Sequence, residues 1–463
     1  MDGVTRKEWL ILTCMICAML MNGIDSSIVT VALPSIADYF GTGLNEVAWV
    51  TICYSMMMAG LLLPFGRLSD SGRIRDVFVA GFAVFTVSSL FCGISENFLM
   101  LLIFRVAQGA GAAMMGSTAP MICVKFMPSH ALGLSLGVMT LAGATGYTVG
   151  PFIGGMITEI SSWHWIFLVN IPIGVLTILF GLKVLPKEER VHKHLNLTDT
   201  AFLFAAVICM IIALERMSVP GFGTLCAVAG ICAFACLGAF VALERRSESP
   251  ILNLRMFRNW RLDAVIASWF LINLLYLGAL YMMPFYLDGP MGMGSAMSGM
   301  VLLIPSLIAL VMGIPVGKAC DARGKRMFAI AASVFNVCYC AVFVFMRPEM
   351  GMLPVLAVVV FMGLVWGTCG ASSSGRIVDN VPPGDKGMGS ALMSFVNYTG
   401  STAGTALFAS LLSIGADAAG KSIDELSTEA FLSGLSFAGI CATVLAVVSL
   451  ACAVAVNEKK KGV

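Results

Sequence analysis

Runs of about twenty residues without a charged side chain recur along the whole chain, each long enough to cross, as a helix, a hydrocarbon layer about 30 Å thick. Fourteen membrane spans are predicted, near residues 9–32, 47–66, 77–95, 98–122, 132–157, 164–184, 199–217, 221–243, 263–287, 295–316, 327–346, 352–375, 389–413 and 430–456. The seventh is the weakest, with only Thr200 to Leu214 free of charge before Glu215 and Arg216. Composition agrees: 59% of the 463 residues are hydrophobic and 12% are charged, a balance that no water-soluble core absorbs. The expected class is an all-α polytopic membrane protein.

The basic residues test the span count, because a wrong number would scramble their alternation between loops. With the N-terminus placed in the cytoplasm, all of the 28 Lys and Arg fall on the cytoplasmic side except Arg216, Arg347 and Lys421, which fall outside, and Arg105, which lies within a span. An even number of spans then puts both termini in the cytoplasm. The first apolar run is too long for the core of a cleavable signal, and none is expected. The 15 cysteines lie mostly inside apolar spans and read as small hydrophobes, with no metal site; the 31 methionines read mainly as packing filler.

Two local patterns suggest moving parts. In Leu141 to Gly155, glycines at 143, 146, 150 and 154 form one smooth helical face beside Pro151, a face suited to close backbone approach where lipid gives no hydrophobic push. Gly66-Arg-Leu-Ser-Asp70 after the second span is matched by Gly317-Lys-Ala-Cys-Asp321 after the tenth, and basic residues follow both, Arg73 and Arg75 in one copy, Arg323, Lys325 and Arg326 in the other. This repeat maps spans 1–6 onto spans 9–14 and leaves 7 and 8 as an insertion. The expected division is a six-helix bundle over 1–190, two inserted helices over 191–248 and a second six-helix bundle over 249–463. Parallel repeats of this kind are a transport layout, with substrate held between the halves near mid-membrane.

Four stretches then carry a resemblance: Asn22 to Pro34 in the first helix, Gly66 to Arg75 in the first cytoplasmic hairpin, Arg105 to Gly111 in the fourth helix and Gly146 to Gly155 in the fifth. The chain resembles the major facilitator superfamily, and within it the fourteen-helix drug:proton antiporters. Trp163 to Pro172 is similar to the sixth helix of that group. The resemblance implies a major facilitator fold, an antiporter motif at Gly146, Gly150, Pro151, Gly154 and Gly155, and a part in proton coupling for Arg105. There are departures. Gly72 comes six residues after Gly66, where the family usually has seven; His164 stands where it commonly has Arg; and Ser372 to Ser374 replaces a frequent Pro.

Charge at mid-helix costs about 2.5 to 3.5 kcal/mol on insertion scales and is rarely kept without use. Asp25 and Arg105 stand out. Asp25 lies halfway along the first helix with Asn22 one turn away on the same face, and it is the expected proton and cation site, the alternative being a fixed ion pair that pins two helices. Glu215, Asp288 and Glu159 sit at outer span ends, with Glu215 a possible second acid. Trp269, Asn273, Tyr276, Trp366, Phe395 and Asn397 are candidates for a substrate pocket, together with Asn22 and Asp25.

The expected mechanism is alternating access. Asp70, Arg73, Asp321 and Arg326, with Gly66 and Gly317, form a cytoplasmic gate, the glycine face of the fifth helix seals the centre, and Asp25 exchanges its proton for substrate. The expected function is proton-driven export of amphipathic or cationic small molecules across the cytoplasmic membrane by a monomer, with no cofactor and no nucleic-acid partner. The closest rival is a dedicated exporter or proton-coupled carrier of one metabolite or ion. No catalytic constellation, P-loop or filter-like segment argues for an enzyme, an ATP-driven pump or a channel.

Overall fold

The computed structural model describes residues 5–186, 197–218, 223–246, 254–380, 386–417 and 427–456. Among them the chain forms fourteen long helices and no strand. In chain order they are α1 (Arg6–Phe40), α2 (Leu44–Leu68), α3 (Ile74–Gly93), α4 (Phe98–Phe126), α5 (Ser129–Ile160), α6 (Trp165–Val184), α7 (Leu197–Glu215) and α8 (Gly223–Glu244). They continue as α9 (Trp260–Asp288), α10 (Ser295–Arg323), α11 (Arg326–Phe345), α12 (Met352–Asn380), α13 (Lys386–Gly415) and α14 (Thr428–Ala455). Eleven of these are long and apolar enough to cross a membrane, judged on the described residues; α2, α5 and α13 are the other three. Each coincides with one of the fourteen predicted spans, most reaching several residues past it into the flanking polar sequence.

Local chemistry sets several of the boundaries. Asn97 accepts from the Met100 N–H at 2.8 Å to start α4, and Ser427 accepts from the Ala430 N–H at 3.2 Å to start α14, each satisfying a donor that the first turn leaves over. In α6 the regular helix pauses at Val169 and resumes at Asn170. Pro172 accounts for the pause, since its ring crowds the carbonyl four residues back and it has no N–H to give.

The turns carry the internal repeat. Gly41 ends α1 at φ 63° and Gly292 follows α9 at φ 61°; Gly72 precedes α3 at φ 78° and Gly324 precedes α11 at φ 91°. These left-handed conformations suit glycine. The shorter first hairpin is accommodated by a π turn over Ser69–Arg73, which contains Gly72. Packing repeats as well. A methyl at Gly109 of α4 would press on Tyr54 and Met57 of α2, and one at Gly363 of α12 would press on Pro305 and Ile308 of α10.

By packing, the chain divides into two compact units. Unit 1 comprises Met1–Phe40, Trp49–Phe204 and Gly294–Gly299; unit 2 comprises Gly41–Ala48, Ala205–Met293 and Met300–Val463. The two helices read as an insertion are therefore shared out, α8 lying wholly in unit 2 and α7 divided at Phe204.

In unit 1 the glycine face of α5 presses on α1. A Cβ at Gly146 would overlap the Leu20 carbonyl, one at Gly150 the Ser27 hydroxyl, and one at Gly154 the Ile28 carbonyl, while Gly23 of α1 meets Gly143 and Tyr147 in return. The face expected to seal the centre is thus occupied by a helix of its own unit. Gly155 and the Pro151 carbonyl point elsewhere, at Ser295 and Gly299. Gly146→Ala and Gly150→Leu are expected to destabilise the purified protein by about 1 to 3 kcal/mol through overpacking. Gly143→Ala, whose methyl would stand 3.6 Å from the Met19 carbonyl, is expected to stay within about 0.5 kcal/mol of wild type. Thermal melting of the three variants in lipid nanodiscs checks the ranking; equal melting points would show that α1 yields to added bulk.

Candidate functional site

Asp25 sits at the middle of α1, and the fold closes four other helices of unit 1 around it. Arg105 and Gln108, three residues apart on one face of α4, both reach it. The Arg105 NH1 donates to Asp25 Oδ2 at 2.9 Å and to Gln108 Oε1 at 2.8 Å, and its Nε donates to the Val50 carbonyl of α2 at 2.8 Å. Gln108 Nε2 donates to Asp25 Oδ1 at 3.0 Å and to the Ser89 hydroxyl of α3 at 2.8 Å. Asn170, the residue at which α6 resumes, donates Nδ2 to Asp25 Oδ1 at 3.1 Å. Aromatic rings flank the cation: the guanidinium carbon lies 4.4 Å from the Tyr54 ring centre and 5.6 Å from that of Phe167.

The cluster is dry. Asp25 and Gln108 are 0% exposed and Arg105 is 1% exposed. Every group facing Asp25 is a donor, which is the environment of an ionised carboxylate, and Arg105 supplies the balancing charge. The ion pair considered from sequence is therefore present, and it is larger than a pair. Gln108 and Asn170 were missed as site residues, although both fall inside the stretches that carried the family resemblance. Their amides are neutral, so the cost of mid-membrane charge gave no signal for them. Asn22, one turn from Asp25, donates Nδ2 to the Ala112 carbonyl of α4 at 3.3 Å, and its Oδ1 has no donor among the described residues.

In unit 2, three of the six residues predicted for the pocket come together. The Trp366 ring of α12 stacks on two rings of α9, that of Trp269 at 6.0 Å with 21° between planes and that of Tyr276 at 4.8 Å with 25°. Trp269 Nε1 donates to the Met393 carbonyl of α13 at 3.3 Å. Asn273, between the two rings on α9, donates Nδ2 to the Trp269 carbonyl at 2.7 Å. Phe395 and Asn397 of α13 are half-buried, and the stack is built without them.

The Major Facilitator Superfamily model matches residues 15–405. The chain belongs to the major facilitator superfamily. It is 26% identical to the riboflavin transporter RibZ of Clostridioides difficile (strain 630), over 88% of each chain. It is 28% identical to the tetracenomycin C resistance and export protein of Streptomyces glaucescens, over 89% of this chain and 77% of that one. It is 26% identical to the putative multidrug resistance protein MdtD of Escherichia coli O1:K1 / APEC, over 85% and 84%. Among solved structures it shares its fold with a bacterial homologue of the human lysosomal transporter Spinster, at a TM-score of 0.67 and 14% identity over 98% and 97% of the two chains. The nucleoside transporter NupG gives a TM-score of 0.64 at 11% identity over 96% and 99%. The chain is accordingly a multi-pass membrane protein of a transporter superfamily.

The remaining expected sites of this superfamily member lie at helix ends. Asp70 falls in the π turn and Asp321 in the last turn of α10, and the side chains of both lie outside the described residues. Gly66 is 4.0 Å, measured from an added Cβ, from Ser117, and Gly317 faces open space. Arg73 is exposed. Arg326 donates NH2 to the Val454 carbonyl at 2.8 Å, and Arg75, in the other half of the repeat, donates to the Leu182 carbonyl of α6. Each arginine thus takes up a carbonyl that the last turn of its bundle's final helix leaves without an intrahelical donor. Arg376, buried near the C-terminal end of α12, adds to this by donating to the carbonyls of Ala453 at 3.3 Å and Val456 at 2.9 Å. It was missed because it lies one residue past the predicted span, where a cation reads as an ordinary flanking charge.

At the other helix ends, Glu215 is buried and paired with Arg216 at 3.0 Å, and exposed Glu159 accepts from the Ala296 N–H at 3.4 Å. His164 stacks on Trp163 at 3.7 Å, and burial holds its imidazole below the usual histidine range. It is therefore uncharged at neutral pH, where the antiporter resemblance leads one to expect an arginine.

Arg105 makes three hydrogen bonds in fixed directions, a demand that a lysine ammonium does not meet. Arg105→Lys is expected to lose stability, and Arg105→Ala to lose about 3 to 5 kcal/mol by leaving Asp25 charged and unmatched. Thermal melting of the purified variants tests this, and the double variant Asp25→Asn/Arg105→Gln should recover part of the loss.

Proposed function

We propose that the chain is a proton-driven antiporter that exports amphipathic or cationic small molecules across the cytoplasmic membrane by alternating access, with both termini in the cytoplasm. The observation that carries this reading is the buried Asp25 cluster, in which one titratable acid links α1 to α4 and α6. Protonation would turn one acceptor oxygen of Asp25 into a donor. At least one of the three donors facing it, Arg105, Gln108 or Asn170, then loses its partner, while Arg105 keeps the Val50 carbonyl and the Gln108 oxygen. A proton would therefore loosen α1 from its neighbours, and its release would draw the cluster shut. Since Asp25 has no exposed surface, substrate acts on it through the helices that carry it, and cation contact is proposed only for a conformation in which the cluster opens.

The drug-export part of the reading is supported by the relatives named for multidrug resistance and for tetracenomycin C export. The relative named as a riboflavin transporter favours a second reading, a carrier dedicated to one metabolite. In either case charge sets the driving force. One proton exchanged for one monovalent cation moves no net charge, whereas exchange for a neutral molecule also draws about 2.3 kcal/mol per 100 mV of membrane potential.

Asp25→Asn keeps the size and the hydrogen-bonding capacity of the residue while removing its charge. The variant is expected to insert and fold yet to release no proton on substrate addition and to show no pH-driven efflux from proteoliposomes. Proton release at the wild-type level would move the coupling site elsewhere, with Glu215 the next acid to substitute.

A further inference from the structure

The two halves of the repeat place different chemistry at matching positions. In the register set by Gly41 and Gly292, Asn22 matches Asn273, Asp25 matches Tyr276 and Ala18 matches Trp269. In the register of Gly109 and Gly363, Arg105 matches Val359 and Gln108 matches Met362, both of them buried. Unit 2 therefore has aromatic and aliphatic groups where unit 1 has its charges. The acids of α9 are Asp263 and Asp288, at its two ends, and that of α12 is Asp379, next to its last residue.

Trp269, Asn273 and Tyr276 follow one another at spacings of four and three, so they form one stripe on α9. Trp366 lies nearly parallel to both rings of that stripe, and Asn273 falls between them. Of the three rings only Trp366 keeps appreciable exposed surface. Asn273 is 0% exposed, and while its Nδ2 is bonded, its Oδ1 has no donor among the described residues. Buried acceptors without a donor are uncommon and call for a cause. Here the matching Asn22 shows the same pattern, Nδ2 bonded to a backbone carbonyl and Oδ1 without a donor, so the pattern belongs to the layout of the repeat. In unit 2 the residues that precede and follow that asparagine in the α9 stripe, Trp269 and Tyr276, both stack on Trp366.

We infer that Trp366 and the α9 stripe form a slot for a planar, uncharged aromatic ring bearing an N–H or O–H donor, and that Asn273 Oδ1 receives this donor. This rests on the reading of the chain as a carrier of small molecules, and it names the class carried. The ring enters by parting Trp366 from Trp269 and Tyr276, so that it gains an aromatic surface on each face in place of the one it separates. A bulky tetrahedral cation fits neither the flat slot nor its charge, because no carboxylate of α9 or α12 lies at that depth.

The test is equilibrium binding to the full chain in lipid nanodiscs, with binding to protein-free nanodiscs subtracted, using three probes. Carbazole is flat, neutral and carries one N–H; dibenzofuran has nearly the same shape with oxygen in its place; tetraphenylphosphonium is a tetrahedral cation. Carbazole is expected to bind about tenfold more tightly than dibenzofuran, because only it satisfies the buried acceptor. Asn273→Leu should bring that ratio to about one while dibenzofuran binding persists, which also reports that the variant is folded; Asn273→Ala serves the same purpose if the leucine variant does not fold. Trp366→Ala should weaken both flat probes by at least about tenfold, given what a stacked ring contributes. Equal binding of carbazole and dibenzofuran, an unchanged ratio in the folded Asn273 variant, or tetraphenylphosphonium competing with carbazole at equal affinity would each overturn the slot. None of these results depends on Asp25, so a failure of proton coupling in the Asp25→Asn experiment is read separately.

Discussion

A carboxylate and a guanidinium in the middle of a hydrocarbon layer have to balance each other's charge and find every hydrogen bond within the protein. That constraint organises unit 1. Asp25 and Arg105 lie 2.9 Å apart with almost no exposed surface, and no bulk water reaches them to soften a mismatch. Neutral amides from α4 and α6 and a hydroxyl from α3 fill the remaining hydrogen-bonding positions, and a backbone carbonyl of α2 takes the third bond of the arginine. Five helices are thereby tied to one point. Such a point is matched while the acid is charged, and under the proposed coupling a single proton would act on helix packing through it.

The cluster also requires that α1 be held close to its neighbours. In lipid, apolar side chains gain little by meeting one another, so close packing falls to small residues. The glycines of α5 let the backbones of α1 and α5 approach until an added methyl would overlap Leu20, Ser27 or Ile28. At the ends of the bundles the means differ. Arg75 and Arg326 hold the carbonyls that end α6 and α14, where proximity to polar surroundings makes a charge affordable.

The repeat shows how one frame carries two chemistries. Left-handed glycines recur at the same turns, and the same glycine contacts join α2 to α4 and α10 to α12. Within that frame Asp25 gives way to Tyr276 and Arg105 to Val359, so unit 1 has the group that can hold a proton and unit 2 has the stacked rings. On the proposals made above, coupling and recognition would sit on different halves of one scaffold.

The sequence by itself determined the fourteen helices, the two-fold repeat and the pair of charges at mid-membrane. These are local properties: a run without charge, a glycine in a tight turn and an acid flanked by apolar residues each declare themselves within a few positions. Which groups meet was decided by the tertiary structure. Gln108 and Asn170 join Asp25 from 83 and 145 residues away, and neutral amides carry no mark of that in a linear reading. The partner of the α5 glycine face, the carbonyl held by Arg326, the buried Arg376 and the stacking of Trp366 on two rings of α9 have the same origin. Each depends on how one helix is rotated against another, and rotation is set by the sum of contacts along both helices, which only the folded chain assembles.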